Sequence, residues 1–563
     1  MDLQQRLKAR PFWIIIPYII SLVPFSYPIR EGEIAGAGAD VVNTIWAMWW
    51  FQQEWASTGW GGHSTLFNFP FGGQGAILSP LNALLWSIYE WCFGPAWASI
   101  LNVVTCLYGT MLLMTCIARE YKWCHLTTGC VLLSFVCARY FIFTLGETGV
   151  VGVAIWPLLL CWYSALRYRA GPRRGWLGVI FICIALQGLE NPYVAPVPPL
   201  IVLFVLWGYW KQLFTLLMCG LLGIVAIGSL YHGTSASAYQ SLKPSYWVQL
   251  FGQYFPVVER TWARISPEEL FWPQKVRWPI GGQDTIHQSG RGFLGYSVLF
   301  LGTLGCVFAQ KRRWLLIFLF SLGVIFSLGS DFGGTASPFA LFNSICSSWV
   351  RALTQPTRYM ILAVLALAFL VGHAVDGLVR KKSTFLGILC WSTILIEGLW
   401  IGGLSLRLPT TELPRGKCMS ALAYEEGAVL VWPWDGLDDE DFDATLYSRL
   451  FQMVHNRPGA TIGTGSWPVV GEVFPGEVLR RLGWKKALTG EGTLDISRLA
   501  AWGYRWVVVD GRVSRTWRMR ARDDVFGSGN FVDECNDFEI YQLPKVTLNP
   551  NPIHPFVRTK GIR

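Results

Sequence analysis

The sequence predicts a mainly α protein: a polytopic bundle of transmembrane helices with a small α/β domain at its C-terminal end. Three observations carry the prediction. Of 563 residues, 52% are hydrophobic and only 15% charged, with a mean hydropathy of +0.37, too apolar for a soluble protein of this size. Apolar runs of roughly 20 residues alternate with short basic clusters. Beyond about Leu406 this rhythm gives way to the mixed strand and helix patterns of a soluble domain. The net charge of +10 is spread over clusters between apolar runs, not along one face or tail, so it reads as membrane topology and not as a nucleic-acid surface.

The first ten residues, MDLQQRLKAR, precede the apolar PFWIIIPYIISLVPFSYP. The following FSYPIREGE offers no small-residue cleavage site, so residues 11–27 are expected as a retained first span, with Arg6, Lys8 and Arg10 keeping the N-terminus in the cytoplasm. Arg119 and Lys122, then Arg167, Arg169, Arg173 and Arg174, then Lys211, then Lys311, Arg312 and Arg313, then Arg380, Lys381 and Lys382 fall at every second connection. Spans are expected near 95–118, 126–144, 149–166, 176–189, 195–210, 212–231, 293–310, 314–330, 358–378 and 384–404, about eleven in all, with the C-terminus outside. Residues 80–94 form a short run ending in FGP and are expected to be interfacial or re-entrant. The transmembrane part is thus 1–405, with outer loops at 28–94 and 232–292.

The tail, 406–563, contains the strand-like AVLVWPW, YRWVVVDG and DFEIYQL and the helical DATLYSRLFQMVHN and DISRLAAWG, an α/β pattern expected outside the cytoplasm. Its acids, DGLDDEDFD at 435–443, lack the EF-hand spacing and read as a solvated loop. Of 14 cysteines most lie in apolar runs; Cys346, Cys418 and Cys535 fall outside, and a Cys418–Cys535 disulfide is one option in an oxidising compartment. No zinc motif, Walker loop, GxSxG elbow or HExxH is present, which disfavours the common soluble-enzyme chemistries.

The segment GADVVNTIWAMWWFQQEW, 38–55, places Asp40 ahead of a Trp-rich helix. Asp40 reads either as a helix cap or as a functional acid, and Trp46, Trp49, Trp50 and Trp55 read as an aromatic belt of a helix lying at the membrane surface. Downstream come LFNFPFGGQGAILSPLNALLW, ARYFIFTLGETGVVGVAIWPLLL and SSWVRALTQPTRYMILAVLALA. In this order the segments resemble the GT-C superfamily of polytopic glycosyltransferases, in a bacterial branch, over residues 10–405. The resemblance implies an outer first loop with an acid and juxtamembrane helices, a polyprenyl-phosphate-linked sugar as donor, and a glycan, lipid or protein as acceptor. It places the protein in the cytoplasmic membrane as a cell-envelope enzyme. The sequence departs from the pattern in three places: Asp40 is single, with Glu31 and Glu33 as the nearest pair; Glu147 stands where relatives often carry His; and Thr354 occupies the first Arg position of the late motif.

Transfer from a lipid phosphate to a hydroxyl inverts the anomeric centre, and one carboxylate must take the acceptor's proton. Asp40 is assigned that role, with Glu31 and Glu33 as alternates. The leaving phosphate needs its charge met by Arg, Lys or a divalent cation such as Mg or Mn. Arg139 and Arg358, at outer ends of spans, suit the phosphate or serve as interface anchors, Arg139 then pairing with an acid such as Glu147. Glu190, beside the helix break at Pro192, suits the acceptor or a divalent ion, or caps the next helix. The aromatic loop 232–292 suits a lid over a carbohydrate or rests on the bilayer. The competing reading is a non-catalytic scaffold or a lipid-sugar transporter; the transporter is disfavoured by the lack of an internal repeat and by sparse intramembrane charge at Arg139, His373, Asp376 and Glu397.

Overall fold

The computed structural model describes residues 10–25, 33–36, 39–58, 63–64, 73–74, 79–191, 194–207, 209, 265–273, 292–309, 313–329, 338–339, 356–381, 384–412, 422–432, 452–453, 496–501, 503–510, 531–535 and 538–545. The N-terminal half begins with helix α1 (Phe12–Ile20), the short strand β1 (Glu33–Ala35) and helix α2 (Ala39–Thr58). A two-residue ladder joins β2 (His63–Ser64) to β3 (Gly73–Gln74). Helical run α3 (Pro80–Glu120) is two helices, because Gly94 turns the chain at φ 79° and Pro95 has no N–H to continue the ladder. Then come α4 (His125–Val136), α5 (Arg139–Thr148), α6 (Val150–Val153), α7 (Trp156–Ala170), α8 (Arg174–Glu190) and α9 (Val197–Val205). The second half adds α10 (Pro267–Phe271), α11 (Tyr296–Phe308), α12 (Arg313–Ser327), α13 (Met360–Lys381) and α14 (Thr384–Trp400).

Among the described residues four helical stretches are long and apolar enough to cross a membrane: Pro80–Glu120, Val150–Ala170, Pro356–Arg380 and Thr384–Ser405. Helices α4 and α5 form a fifth when taken as one span bent by 47°. The sequence predicts more, about eleven. The difference has a physical origin in part: α9, α11 and α12 are 9, 13 and 15 residues long, and nine residues rise only about 14 Å. The predicted span 212–231 lies outside the described residues. Residues 80–93 do not continue the line of 95–120. The Asn102 amide donates to the Asn82 carbonyl at 3.0 Å, and the Tyr89 and Thr105 hydroxyls meet at 2.7 Å, folding the first helix against the second. Its buried face carries Asn82, Ala83 and Trp86, and Leu84, Ile88 and Trp91 stand exposed.

Helix α13 is the axis of the bundle. Every residue from Pro356 to Gly372 is buried, and α4, α11 and α12 pack round it. Lipid gives no hydrophobic force between helices, so their contact depends on close backbone approach. Gly302 and Gly305 of α11 lie against Leu367 and Leu370, and Gly323 of α12 against the Ala363 backbone and the Tyr359 carbonyl.

The bundle has two chemically different ends. At one, Glu120 and Arg167 pair at 3.0 Å, Arg169 donates to the Val205 carbonyl, Asp376 accepts from Arg380, and His373 packs on Tyr121 and Trp123. This is the basic end. At the other, Leu408 N–H donates to Pro24, β1 pairs antiparallel with β4 (Thr410–Glu412), and Ser79 meets Glu190. This acid end gathers the connections near 24–36, 79, 99, 139, 190, 295 and 401–412. Trp97 and Trp400, close in sequence to these connections, are exposed, as interfacial tryptophans are.

Beyond the bundle, β5 (Ala428–Trp432), helix α15 (Ile496–Ala501), β6 (Tyr504–Asp510), β7 (Phe531–Cys535) and β8 (Phe538–Gln542) build a four-stranded sheet in the order β5-β6-β8-β7. The β5–β6 pair is parallel, with α15 in the crossover and packed on β6; the other pairs are antiparallel. Val429, Val431, Trp506, Val508, Phe538 and Ile540 close a separate core. Cys418 and the acids 435–443 lie outside the described residues.

A Cβ added at Gly305 would fall well inside contact distance of the Leu370 carbonyl oxygen, whereas one at Gly178 would meet nothing within 4 Å. Gly305→Ala is therefore expected to cost about 1–3 kcal/mol through overpacking, lowering the thermal midpoint in detergent by several degrees. Gly178→Ala should leave it unchanged or raise it, since alanine is the better helix former.

Candidate active site

The acid end is where helices break, and each break exposes backbone groups that an apolar bundle cannot solvate. Between α4 and α5, Ala138 is extended and the Cys137 carbonyl has no helical partner; the Gly403 N–H donates to it at 2.6 Å. Gly402 and Gly403 permit this approach, because a Cβ on either would press on the carbonyls of Cys137 or Ala138. Between α6 and α7, the Gln187 side chain accepts from Leu158 N–H at 2.9 Å and donates to the Ala154 carbonyl at 3.1 Å, while the Asn191 amide donates to Gly152. At the start of α3, Glu190 does the same work. One of its carboxylate oxygens accepts from Leu81 N–H at 2.7 Å; the other accepts from the Ser79 hydroxyl at 2.5 Å and the Asn82 amide at 2.6 Å. Glu190 is fully buried and caps α3, not the helix that follows it in sequence. Ser79 holds a left-handed backbone, φ 58° and ψ 61°, to make this junction.

Polar contacts run on from this cap to the first loop. Asn82 carries the chain to Asn102, and one turn earlier on the same helix Ser99 accepts from Ala35 N–H at 3.0 Å. Ala35 belongs to β1, whose partner β4 follows the last helix of the bundle, in register Glu33↔Glu412 and Ala35↔Thr410. The clamp continues at Gly36, where N–H donates to Pro409 at 2.8 Å and the carbonyl accepts from Thr411 Oγ1 at 2.7 Å. Gly36 has φ +108°, and a Cβ there would stand 2.7–2.8 Å from Val41 and 3.1 Å from the Gly146 carbonyl. Only glycine fits this crossing of the first loop, α2 and α5.

The structure places the site residues expected from sequence as follows. Glu33 is buried on β1, and among the described residues its Oε2 has no hydrogen-bond partner. Asp40 is the second residue of α2, in the first turn, where a carboxylate favours the helix dipole; its side chain lies outside the described residues, as does the whole of Glu31. Glu147 closes α5 next to Gly146 and thus near the Gly36 clamp, its side chain likewise undescribed. Arg139 opens α5, eight residues and about 12 Å away along the axis. It is buried, its Nε donates to the Ile401 carbonyl at the C-terminal end of α14 at 2.5 Å, and its guanidinium lies over the Phe293 ring at 5.7 Å. Arg358 is buried in the 3₁₀ turn Pro356–Tyr359 that leads into α13, beside Tyr359 packed on Phe326 and Phe339. Strand β1, the head of α2 and the Gly146 turn thus meet at the Gly36 clamp. Glu190 is joined to them through Asn82 and Asn102.

One expectation changes. Helix α2 does not rest on the surface with its tryptophans in the interface: Trp46, Trp49 and Trp50 are buried, packed on α3 and α5, and the Trp46 indole donates to Gln452 of the tail at 2.9 Å. Sequence reasoning also passed over Gln187, Asn191, Ser79 and Asn82. Gln187, Glu190 and Asn191 share one helix face by their i, i+3, i+4 spacing, a signal present in LQGLENP. The remaining intramembrane acids are structurally engaged: Glu397 accepts from Tyr296 and Ser297 N–H at 2.5 and 2.8 Å, capping α11, and Asp376 pairs with Arg380. The aromatic loop is described only at 265–273 and 292, where Ser266 and Glu269 form a capping box on α10.

No family model matches the sequence, and no curated protein matches it. Two cryo-EM structures of arabinofuranosyltransferase AftD from mycobacteria align with 96% of this chain, at 13% identity and TM-scores of 0.52 and 0.56. The crystal structure of ArnT from Cupriavidus metallidurans aligns with 95% of this chain and 98% of its own, at 12% identity and a TM-score of 0.48. The chain spans about 40% of the AftD length. It is a membrane protein with a GT-C-like fold.

Glu190→Ala leaves the Ser79 hydroxyl and the Leu81 N–H without this acceptor and takes one of two from the Asn82 amide, and is expected to cost about 2–4 kcal/mol. Glu190→Gln, which turns an amide toward donors, should fall between Ala and wild type. Thermal unfolding in nanodiscs measures both.

Proposed function

We propose that the protein is an integral membrane glycosyltransferase that moves a sugar from a polyprenyl-phosphate donor to a glycan, lipid or protein acceptor. The acid end faces out of the cytoplasmic membrane in this reading, and the basic end faces the cytoplasm, in keeping with the positive-inside rule. The observation that supports it most directly is the acid-bearing first loop of a GT-C-like fold, tied by strand β1 and Gly36 into the bundle, with a buried carboxylate oxygen of Glu33 unmatched among the described residues.

The reaction is a single displacement. The acceptor oxygen attacks the anomeric carbon, its bond to the sugar forms as the bond to phosphate breaks, and its proton passes to a carboxylate. Asp40 at the head of α2 takes that proton; Glu33 and Glu31 are the alternates. The lipid phosphate departs with its electron pair and needs charge compensation without a proton. Arg139 and Arg358 supply it from the rim of the bundle. Among the described residues no three His, Cys, Asp or Glu side chains converge to hold a metal ion. The tail sheet forms the extracytoplasmic domain that approaches the acceptor.

Asp40→Asn is expected to lower transfer from a polyprenyl-phosphate sugar about 100-fold or more, the usual worth of a general base, with donor binding retained. Arg139→Ala or Arg358→Ala should weaken donor binding in nanodiscs instead. Full transfer by Asp40→Asn would hand the role to Glu33 or Glu31, and absence of any donor binding would sink the assignment.

A further inference from the structure

The tail grips the helix that carries Asp40 at two separate points. Just ahead of α2, β4 pairs with β1 while Pro409 and Thr411 hold both backbone groups of Gly36. Six residues past Asp40, roughly 9 Å along the axis, the Trp46 indole N–H donates to Gln452 Oε1 at 2.9 Å, between residues 406 positions apart in sequence and both 1% exposed. Gly36 is in turn wedged against Val41, the residue after Asp40. A grip before the first turn fixes the position of the helix head. A directional side-chain bond two turns on fixes the rotation of the helix about its own axis.

We infer that Gln452 and Thr411 are positioning residues for the acid on α2, so that the segment after the last helix is part of the transfer site as well as a module for the acceptor. This rests on the glycosyltransferase reading for its catalytic consequence, though the mechanical coupling does not. Val41, Val42, Ile45, Trp46, Ala47, Met48, Trp49, Trp50 and Phe51 are buried all round α2, and near its far end the Gln52 amide donates to Glu90 at 2.8 Å, so the bundle side of the helix is held by packing and by a polar contact of its own. Proton transfer tolerates little misplacement, since an error of about 1 Å costs on the order of 100-fold. A buried indole N–H bonded to an amide carbonyl adds a directional restraint on rotation that comes from the tail.

The test uses full-length protein in lipid nanodiscs, with Gln452→Met, which keeps side-chain length and removes the acceptor, Trp46→Phe, which removes the donor, and the double variant. Hydrogen exchange of amides in 41–52 should speed up about tenfold in either single variant and no further in the double, as expected for one shared bond, while amides of α13 stay unchanged. In the transfer assay kcat should fall about tenfold with the donor KM unmoved. Unchanged exchange in α2, additive single effects, or an equal rise in α2 and α13 would overturn the inference, the last by showing general destabilisation. Binding of undecaprenyl phosphate to the wild type is measured alongside. If the wild type fails to bind it while α2 exchange still responds as expected, the transferase reading falls and the coupling stands.

Discussion

Satisfying backbone hydrogen bonds where helices break inside an apolar bundle is the constraint on which the acid end depends. An unpaired peptide group in hydrocarbon costs several kcal/mol, so a membrane helix interrupts its ladder only where a neighbour supplies a partner. Here the partners come from a few side chains and glycine backbones. Gln187 and Asn191 serve the α6–α7 break, Glu190 serves the head of α3, Glu397 the head of α11, and Gly403 the α4–α5 break. Three of these side chains stand on one face of α8. That helix is therefore the strut against which the irregular part of the bundle is assembled.

The breaks create what an unbroken bundle cannot hold: a ledge of short helices and a strand at the acid end. The rigid counterpart is α13, buried along most of its length and approached by glycine faces that leave little room for adjustment. Interiors packed at this density shift between discrete arrangements and do not deform smoothly. A first loop anchored to such a body through Ser99 and Gly36 is held in place by it. The same anchoring explains why Arg139 opens a helix instead of lying within one, with its guanidinium at the C-terminal carbonyls of α14 where a cation is favoured.

The apolar rhythm and its basic clusters are legible in the sequence because they are written in composition over ten or more residues, and the strand-like runs at β5, β6 and β8 are legible from their β-branched and aromatic content. The fold-back of 80–93 was readable from Gly94-Pro95. Other features were hidden for definite reasons. Trp46, Trp49 and Trp50 look like an interfacial belt because the partner that helps to bury them, Gln452, lies 406 residues away and has no local signature. The 47° bend before Arg139 has no proline or glycine to announce it; its support, Gly403, is again remote in sequence. The face made by Gln187, Glu190 and Asn191 was visible in its spacing, but not the breaks it serves, since these lie on two other helices. Pairing of β1 with β4 joins segments too short to show strand periodicity at all.

The acids of this end separate into two kinds by what their oxygens do. Glu190 has both carboxylate oxygens filled by donors of α3 and its cap, and Glu397 has both filled by amides of α11. Each is consumed by a helix end. Glu33 is as deeply placed as a core residue, yet its Oε2 finds no donor among the described residues, and it lies on the strand that leads into α2. A buried carboxylate oxygen left in that condition is costly, and folding alone gives no reason to keep it there. A carboxylate kept for structure is recognised by its filled valences. By that criterion Glu190 and Glu397 belong to the framework, and Glu33 stands apart from them, seven residues before Asp40 and across the Gly36 clamp.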